Sequence, residues 1–459
     1  RRGVRALLDR CASRNVKIGP LAGGLWYVSA PARRRRQRCG MAARKRAKSR
    51  AGGAVEPTGI ARITVEGFKS LARQTIELGR LNVLIGANGS GKTAILEAIG
   101  LLGAAVTGRV DAGELMRRGV RTSAPRAFMT ALGRAPAKKI RLEAESFSGA
   151  SYSVTLAPPP DEWPKLWRFD AERVEENGEV VFQRKADTAQ LFSGGRRLKE
   201  MPLHGAGIGG SARALSLADS FALRDLFFTL SDAVIFDPKT PALRGLATAE
   251  PLDPLGLDGS GLAPALKAVQ TADGGLGRLS RDEVLALIDW ASGIEIGRPD
   301  LDVASPMVPM TQEIVRFVDR RMTKGRNVIS AFDASEGALY VLFALALLFH
   351  PHTPRLSGVD GLDHALHPRL ARALVRTMGE HVAATGKQIV LTTHNPLVLD
   401  GLALANDDIR LFTVDRSEDG ATMIRRVAYT EALRKAQASG ATMSQMWIDG
   451  LFGAVPPVW

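Results

Sequence analysis

One stretch constrains this chain more than any other: Gly86-Ala87-Asn88-Gly89-Ser90-Gly91-Lys92-Thr93, which fits G-x-x-x-x-G-K-[ST]. The motif carries weight only between a strand and a helix, and both flanks qualify. Leu81-Asn-Val-Leu-Ile85 is short, apolar and β-prone, and Ala94-Ile-Leu-Glu-Ala-Ile-Gly-Leu-Leu102 has helical spacing. In that context the glycines let backbone N–H groups turn inward around phosphate oxygens, while the helix points its positive end at them. Lys92 is expected to reach the β- and γ-phosphates, and the Thr93 hydroxyl to sit on Mg²⁺. The stretch predicts a P-loop in an α/β fold that binds a nucleoside triphosphate.

The net charge of +15 suggests nucleic acid until it is located. Residues 1–50 hold sixteen Lys/Arg and one acid, Asp9, which leaves a neutral body of 46 basic and 46 acidic residues. Residues 1–57, with Arg33-Arg-Arg-Arg36 and Arg44-Lys-Arg-Ala-Lys48, are expected to form a basic disordered tail. The first methionine is Met41, and one expectation is that residues 1–40 are upstream sequence translated in frame, with an Arg-rich transit peptide a weaker reading because the segment has few Ser. Both cysteines, Cys11 and Cys39, lie in this tail, and the body offers neither a disulfide nor a cysteine metal site. The longest apolar run, Ala338–Phe349, is too short to span a bilayer. No membrane partner and a cytoplasmic location are the expectations.

Ordered structure is expected from Gly59. Residues 60–68 and 74–78 read as a strand pair leading to the P-loop strand; 139–145 and 151–156 alternate as further strands. Leu166–Phe169 and Glu179–Gln183 read as another pair, joined across a turn at Asn177-Gly178. Together they predict an antiparallel β lobe, with 58–189 as one domain. Residues 190–305 read as a helical insert, 306–430 as a C-terminal lobe and 431–459 as a C-terminal tail. No sustained heptads are present, so no long coiled coil is expected.

Three clusters follow. Asp333-Ala-Ser335-Glu336-Gly337 enters an apolar helix, and a Ser and a Gly at a helix start suit an anion as well as an ordinary cap. In Leu356-Ser-Gly-Val-Asp360-Gly361-Leu-Asp363-His-Ala-Leu-His-Pro368, a short strand ends at Asp360, where a Walker B acid would hold Mg²⁺, and Pro368 suits the first turn of a helix. In Gln388-Ile-Val-Leu-Thr-Thr-His394-Asn-Pro396, a buried strand delivers His394 to its carboxyl end, the edge at which open α/β sheets bind ligands.

The order P-loop, Ser-Glu-Gly helix, Asp-x-x-Asp-x-x-Leu-His-Pro, Thr-Thr-His-Asn-Pro resembles the ABC-type ATPase heads of the SMC/RecF/OLD superfamily, in particular the compact bacterial AAA_21-type branch. The resemblance spans roughly residues 58–459, with specific motifs near 60–100 and 325–415. It implies a mixed sheet flanked by helices, ATP with Mg²⁺, and a homodimer that sandwiches two ATP molecules. Ser335, Glu336 and Gly337 of one copy would cap the γ-phosphate held on the other copy's Gly86–Thr93. Asp360 would be the Walker B acid, Ala365-Leu366-His367 the D-loop, and His394 the switch histidine that senses the γ-phosphate. Lys69 and Ser70 match a nucleotide-flanking position; Gln183 and Gln190 are the candidates for the Q-loop glutamine.

One departure matters. The residue after the Walker B Asp is normally a Glu that orients or deprotonates the attacking water, and here it is Gly361. Asp363, two residues on, is expected to substitute in part; without it hydrolysis should be slow, with ATP acting chiefly to hold a dimer together. The resemblance therefore implies an ATP-driven switch in DNA maintenance or anti-phage defence, working with a separate effector such as a nuclease. The alternative is an ATP-gated scaffold or clamp with little hydrolysis. The ATPase subunit of a membrane transporter fits less well, because Ser335-Glu-Gly337 replaces a Leu-Ser-Gly-Gly-Gln-like signature. Direct DNA binding rests on the resemblance, since the local basic stretch at Arg117-Arg118, Arg121, Arg126 and Lys138-Lys139 is explained as well by a solvated surface.

Overall fold

The computed structural model describes residues 17–20, 26–29, 58–133, 136–160, 166–185, 187–203, 209–210, 220–246, 254–299 and 307–454. The chain separates into two units, Arg1–Val55 and Glu56–Trp459. In the first, β1 (Lys17–Pro20) and β2 (Trp26–Ser29) pair antiparallel. Beyond these eight residues, the disorder expected of 1–57 lies outside the described residues.

The second unit begins with β3 (Ile60–Phe68) and β4 (Leu71–Glu77), then β5 (Leu81–Ile85) and the P-loop helix Lys92–Val106. A meander follows: β6 (Ile140–Ser146), β7 (Ala150–Ala157), β8 (Arg168–Glu176), β9 (Glu179–Lys185), β10 (Thr188–Ser193) and β11 (Arg196–Pro202). With β3 and β4 these strands form an eight-stranded sheet in the order β11-β10-β9-β8-β7-β6-β3-β4. This is the antiparallel lobe predicted from period-2 alternation, visible in the buried–exposed pattern of β6 and β7. The turn at Asn177-Gly178 is present, with both residues at positive φ, as a two-residue type I′ hairpin requires. β8 runs on to that turn, well past the Phe169 limit expected from sequence, because charged residues on its outer face break the apolar pattern without breaking the strand.

The second sheet has the order β12-β16-β17-β5-β18-β19, from β12 (Val234–Phe236), β16 (Leu356–Val359), β17 (Gln388–Thr393), β18 (Ile409–Arg416) and β19 (Thr422–Arg426). All its pairs are parallel except β18–β19. Parallel strands are covered on both faces, and β5 shows how. Leu81, Val83 and Ile85 join one hydrophobic core with the helices Glu336–Phe349 and Pro368–Thr385, whereas Leu84 joins a second core with the P-loop helix and the antiparallel sheet. The P-loop helix is buried nearly all round because it lies between two sheets.

Two of the expected boundaries change. Residues 190–305 are not a helical insert: they contribute β11, β12 and β13 (Ala291–Gly297) as well as the helices Phe221–Ser231 and Leu262–Val269. Val234-Ile-Phe236 is too short to show a strand period, yet it pairs with β16 and becomes the edge of the nucleotide sheet. Residues 431–459 are not a loose tail in their described part. The helix Met443–Ile448 packs on the 3₁₀ helix Pro396–Gly401, with Trp447 buried and the Ser444 hydroxyl donating to Asp400 at 2.7 Å. Among the described residues, no helix is long and apolar enough to cross a membrane.

Candidate functional site

Sheet register brings the three motifs together. Thr393 on β17 lies opposite Ile85 on β5, so the next residues, His394 and Gly86, leave the sheet side by side. On the other flank of β17, Val359 pairs with Leu391, which sets Asp360 one step behind at the same carboxyl edge. This is the edge where ligands of open α/β sheets bind.

The P-loop is tightly wedged. Gly91 has φ +110, and a Cβ there would fall 2.1 Å from the Thr422 hydroxyl, so only glycine fits. The Thr422 hydroxyl donates to the Ser90 carbonyl at 2.8 Å and shares a second hydrogen bond with the Ser70 hydroxyl at 2.7 Å, tying β19 and the β3–β4 turn to the loop. Lys92 Nζ donates to the carbonyls of Gly86 and Ala87, each at 2.8 Å, and approaches His394 Nδ1 at 3.5 Å. Burial drives the Lys92 ammonium down to about 8, against the attraction of Asp360 and Asp363. A buried cation folded back on neutral carbonyls is a strong partner for an incoming phosphate.

The Thr93 hydroxyl donates to Asp360 Oδ2 at 2.8 Å, and the Thr392 hydroxyl holds Asp360 Oδ1. Two hard oxygen donors, at the start of the P-loop helix and the end of β16, fit Mg²⁺ completed by phosphate oxygens and water. Among the described residues no cluster of three or more His, Cys, Asp or Glu forms a closed metal cage, so a metal here would need the nucleotide. Thr392 also accepts from the Gly361 N–H at 3.0 Å, and Thr393 donates to Asp363 Oδ2 at 2.7 Å. The two threonines before His394 thus clamp both carboxylates of the Walker B loop. Burial and then the Lys92 charge hold the His394 imidazole below its ordinary value; Asp363 pulls the other way, and His364 adds to the lowering.

The structure does not bring every expected residue to this cluster. Ser335 N-caps the helix Glu336–Phe349 but makes no side-chain cap hydrogen bond, and Ser335 and Glu336 are exposed. Among the described residues, no hydrogen bond or ion pair joins 335–337 to the P-loop; Glu336 faces Arg244 at 4.0 Å. His367 accepts from the Arg369 N–H at 3.3 Å and caps the helix that Pro368 opens. Lys69, at positive φ, is engaged with the buried Glu97 of the P-loop helix and lies 5.4 Å from the Phe128 ring, while Ser70 does abut the loop through Thr422. Gln183 and Gln190 face each other across β9 and β10, toward the far edge of the antiparallel sheet, and Gln190 donates to Glu200 at 3.2 Å. Neither glutamine has a described hydrogen bond to the P-loop.

Several residues were not singled out from the sequence. Glu97 sits on the buried side of the P-loop helix; burial works to raise its carboxyl, but hydrogen bonds from Arg121 and Lys69 outweigh this and hold it low. Arg416 donates to the Gly89 carbonyl at 3.0 Å at the mouth of the loop. Thr392 and Thr393 were noted only as neighbours of His394, although a hydroxyl pair between two acids was the available signal. His364 is the other omission. Gly361 has φ +66, and a Cβ there would lie 2.2–2.6 Å from three atoms of the His364 ring.

Fold and site define an ABC-type P-loop head. A family model described as "AAA domain, putative AbiEii toxin, Type IV TA system" matches residues 209–400, and a second, described as "AAA domain", matches residues 62–180. Together the two matches cover the P-loop strand, the Asp360–Asp363 loop and His394, so both stretches of the chain are similar to AAA-type ATPase domains. No curated protein matches its sequence. Among solved structures, the chain is similar to an Smc head bound to the C-winged helix domain of ScpA (14% identity, TM-score 0.43, 82% of this chain and 99% of that one). It is also similar to an Smc head with an extended coiled coil bound to the C-terminal domain of ScpA derived from Pyrococcus furiosus (12%, 0.44, 83% and 99%). The SMC head domain from Thermotoga maritima gives 14%, 0.39, 80% and 98%.

Proposed function

We propose that the protein is an ATP-binding and ATP-hydrolysing conformational switch that dimerises on ATP. The observation that carries this is the meeting of Lys92, Thr93, Asp360 and His394 at one sheet edge, while Ser335 and Glu336 stand exposed with no side-chain cap and no described hydrogen bond to the P-loop. On binding, Lys92 would exchange the Gly86 and Ala87 carbonyls for β- and γ-phosphate oxygens, and the N–H groups from Ala87 to Thr93 would line the remainder. Thr93 and Asp360 would hold Mg²⁺, which supplies charge neutralisation at the phosphates. His394, kept largely neutral beside Lys92, would donate to or accept from the γ-phosphate and so report its presence. The exposed start of the Glu336–Phe349 helix offers N–H groups and the Ser335 hydroxyl to the γ-phosphate of a second copy.

The setting we favour is cytoplasmic, in DNA maintenance or anti-phage defence, with a separately encoded effector such as a nuclease and with DNA as a candidate ligand; the motif resemblance supports it. Gly361 favours a second reading, an ATP-gated scaffold or clamp that hardly hydrolyses. Single-turnover hydrolysis separates the two. The switch reading expects release of phosphate within one binding cycle, and the clamp reading expects ATP to be recovered intact from a stable dimer.

A further inference from the structure

The Walker B loop lacks the usual carboxylate, but the space beside Gly361 is filled. Because Gly361 adopts φ +66 and has no side chain, the His364 imidazole lies directly over its Cα, where the first carbon of a glutamate would stand. The turn that carries it is closed by the His364 N–H donating to the Gly361 carbonyl at 3.2 Å. The loop is pinned at its other points: Gly361 N–H to Thr392, Asp360 to Thr93 and Thr392, Asp363 to Thr393. Asp363 is therefore committed to Thr393 through one oxygen, whereas the exposed His364 ring has no described hydrogen bond and lies close enough to His394 to bias its charge.

We infer that His364 takes the part of the missing glutamate and orients and deprotonates the attacking water, with Asp363 as a positioning residue that anchors the loop to Thr393. This deepens the ATPase reading and rests on it. In the step, the water oxygen forms a bond to the γ-phosphorus as the bond to the β–γ bridging oxygen breaks, and that electron pair leaves on ADP. One water proton passes to the free imidazole nitrogen and from there to solvent, leaving inorganic phosphate and a neutral ring for the next turnover. Gly361 is then not a lesion in the motif but the condition for the histidine: any side chain there would displace the ring.

The test uses the full chain and two readouts: binding of a fluorescent ATP analogue, and single-turnover hydrolysis with Mg²⁺. His364→Ala is expected to bind nucleotide as the wild type does and to hydrolyse about a hundredfold more slowly, the lower end for loss of a positioned base. His364→Gln, which can still orient water by hydrogen bonding, should recover part of the loss, a rescue that a merely structural role would not give. Gly361→Ala should reproduce the defect in wild type and add little in the His364→Ala background. Equal rates for wild type and His364→Ala, with loss in Asp363→Asn, would overturn the inference and leave the ATPase reading standing. A wild type that binds no nucleotide, or that binds it and releases no phosphate, would overturn both.

Discussion

Two regions of the molecule, the P-loop edge of the parallel sheet and the start of the Glu336–Phe349 helix, are finished to different degrees. On the P-loop side four side chains already have partners: Lys92 on two carbonyls, Thr93 on Asp360, Asp360 on Thr392, Asp363 on Thr393. At Ser335–Gly337 the helix start has no side-chain cap and its first residues face solvent. Other helices in the same molecule are capped in the ordinary way: Ser280 and Glu283 form a full capping box, and Thr430 and Thr442 each accept from the backbone of their first turn. An uncapped helix end costs about 1 kcal/mol relative to a capped one. The start at Ser335 is thus left without a side-chain cap, as are those of the P-loop helix and of Leu262–Val269, but unlike those two its N-cap is a serine whose hydroxyl makes no cap hydrogen bond and stays available to another molecule.

Substitutions can break that comparison in graded ways. The largest effect is expected from Lys92→Ala: nucleotide affinity should drop by about a hundredfold or more, since a buried charge-assisted contact is removed, and equilibrium binding of labelled ATP measures it. Next is Ser335→Arg, which should leave ATP affinity of the isolated chain unchanged while abolishing the ATP-dependent change in mass seen by sedimentation. Retained dimerisation would mean that the open helix start has some other use. A smaller effect, a several-fold fall in turnover, is expected for Asp363→Asn, because the amide can still accept from Thr393 but the negative charge beside Lys92 and His394 is lost. An unchanged rate would remove Asp363 from the mechanism altogether.

The smallest effect lies away from the site. Lys387 is buried at the opposite end of β17, where burial drives its ammonium down to about 8 against the pull of Asp232. Below that pH the residue is charged in both folded and unfolded states, and the fold bears the cost of burying it. Between about 8 and 10.5 the folded state has released the proton that the unfolded state still holds, so stability rises with pH, by roughly 1–3 kcal/mol from this group. Lys387→Met should flatten that rise in a melting-temperature series from pH 7 to 10. An identical slope in both proteins would show that the buried ammonium is not its source.

How much of this was legible beforehand follows from the kind of signal involved. The P-loop, Asp360 and His394 were readable because each sits at the end of an apolar strand, and parallel register does the rest. The antiparallel lobe was readable from alternation and the Asn177-Gly178 turn. What escaped were features that depend on contacts distant in sequence. Val234–Phe236 becomes a strand only by pairing with residues 357–359, and Thr422 matters only because it wedges Gly91. His364 is hidden in the sequence for a related reason: only the positive φ of Gly361 shows that the gap left by its missing side chain is filled from three residues on. Gln183 and Gln190 are the converse case: chosen as candidates on residue type alone, they pair across β9 and β10 in the antiparallel sheet, with no described hydrogen bond to the P-loop.

In the proposed switch, Gly86–Thr93 is half a site and a second copy completes it. Sedimentation velocity of the full chain, with and without Mg²⁺-ATP, tests this most directly, beside Lys92→Ala and Ser335→Arg. The account predicts a monomer that becomes a dimer only when ATP is present, and no dimer from either variant, although Ser335→Arg still binds ATP. A wild-type chain that binds ATP and keeps the same mass would contradict it.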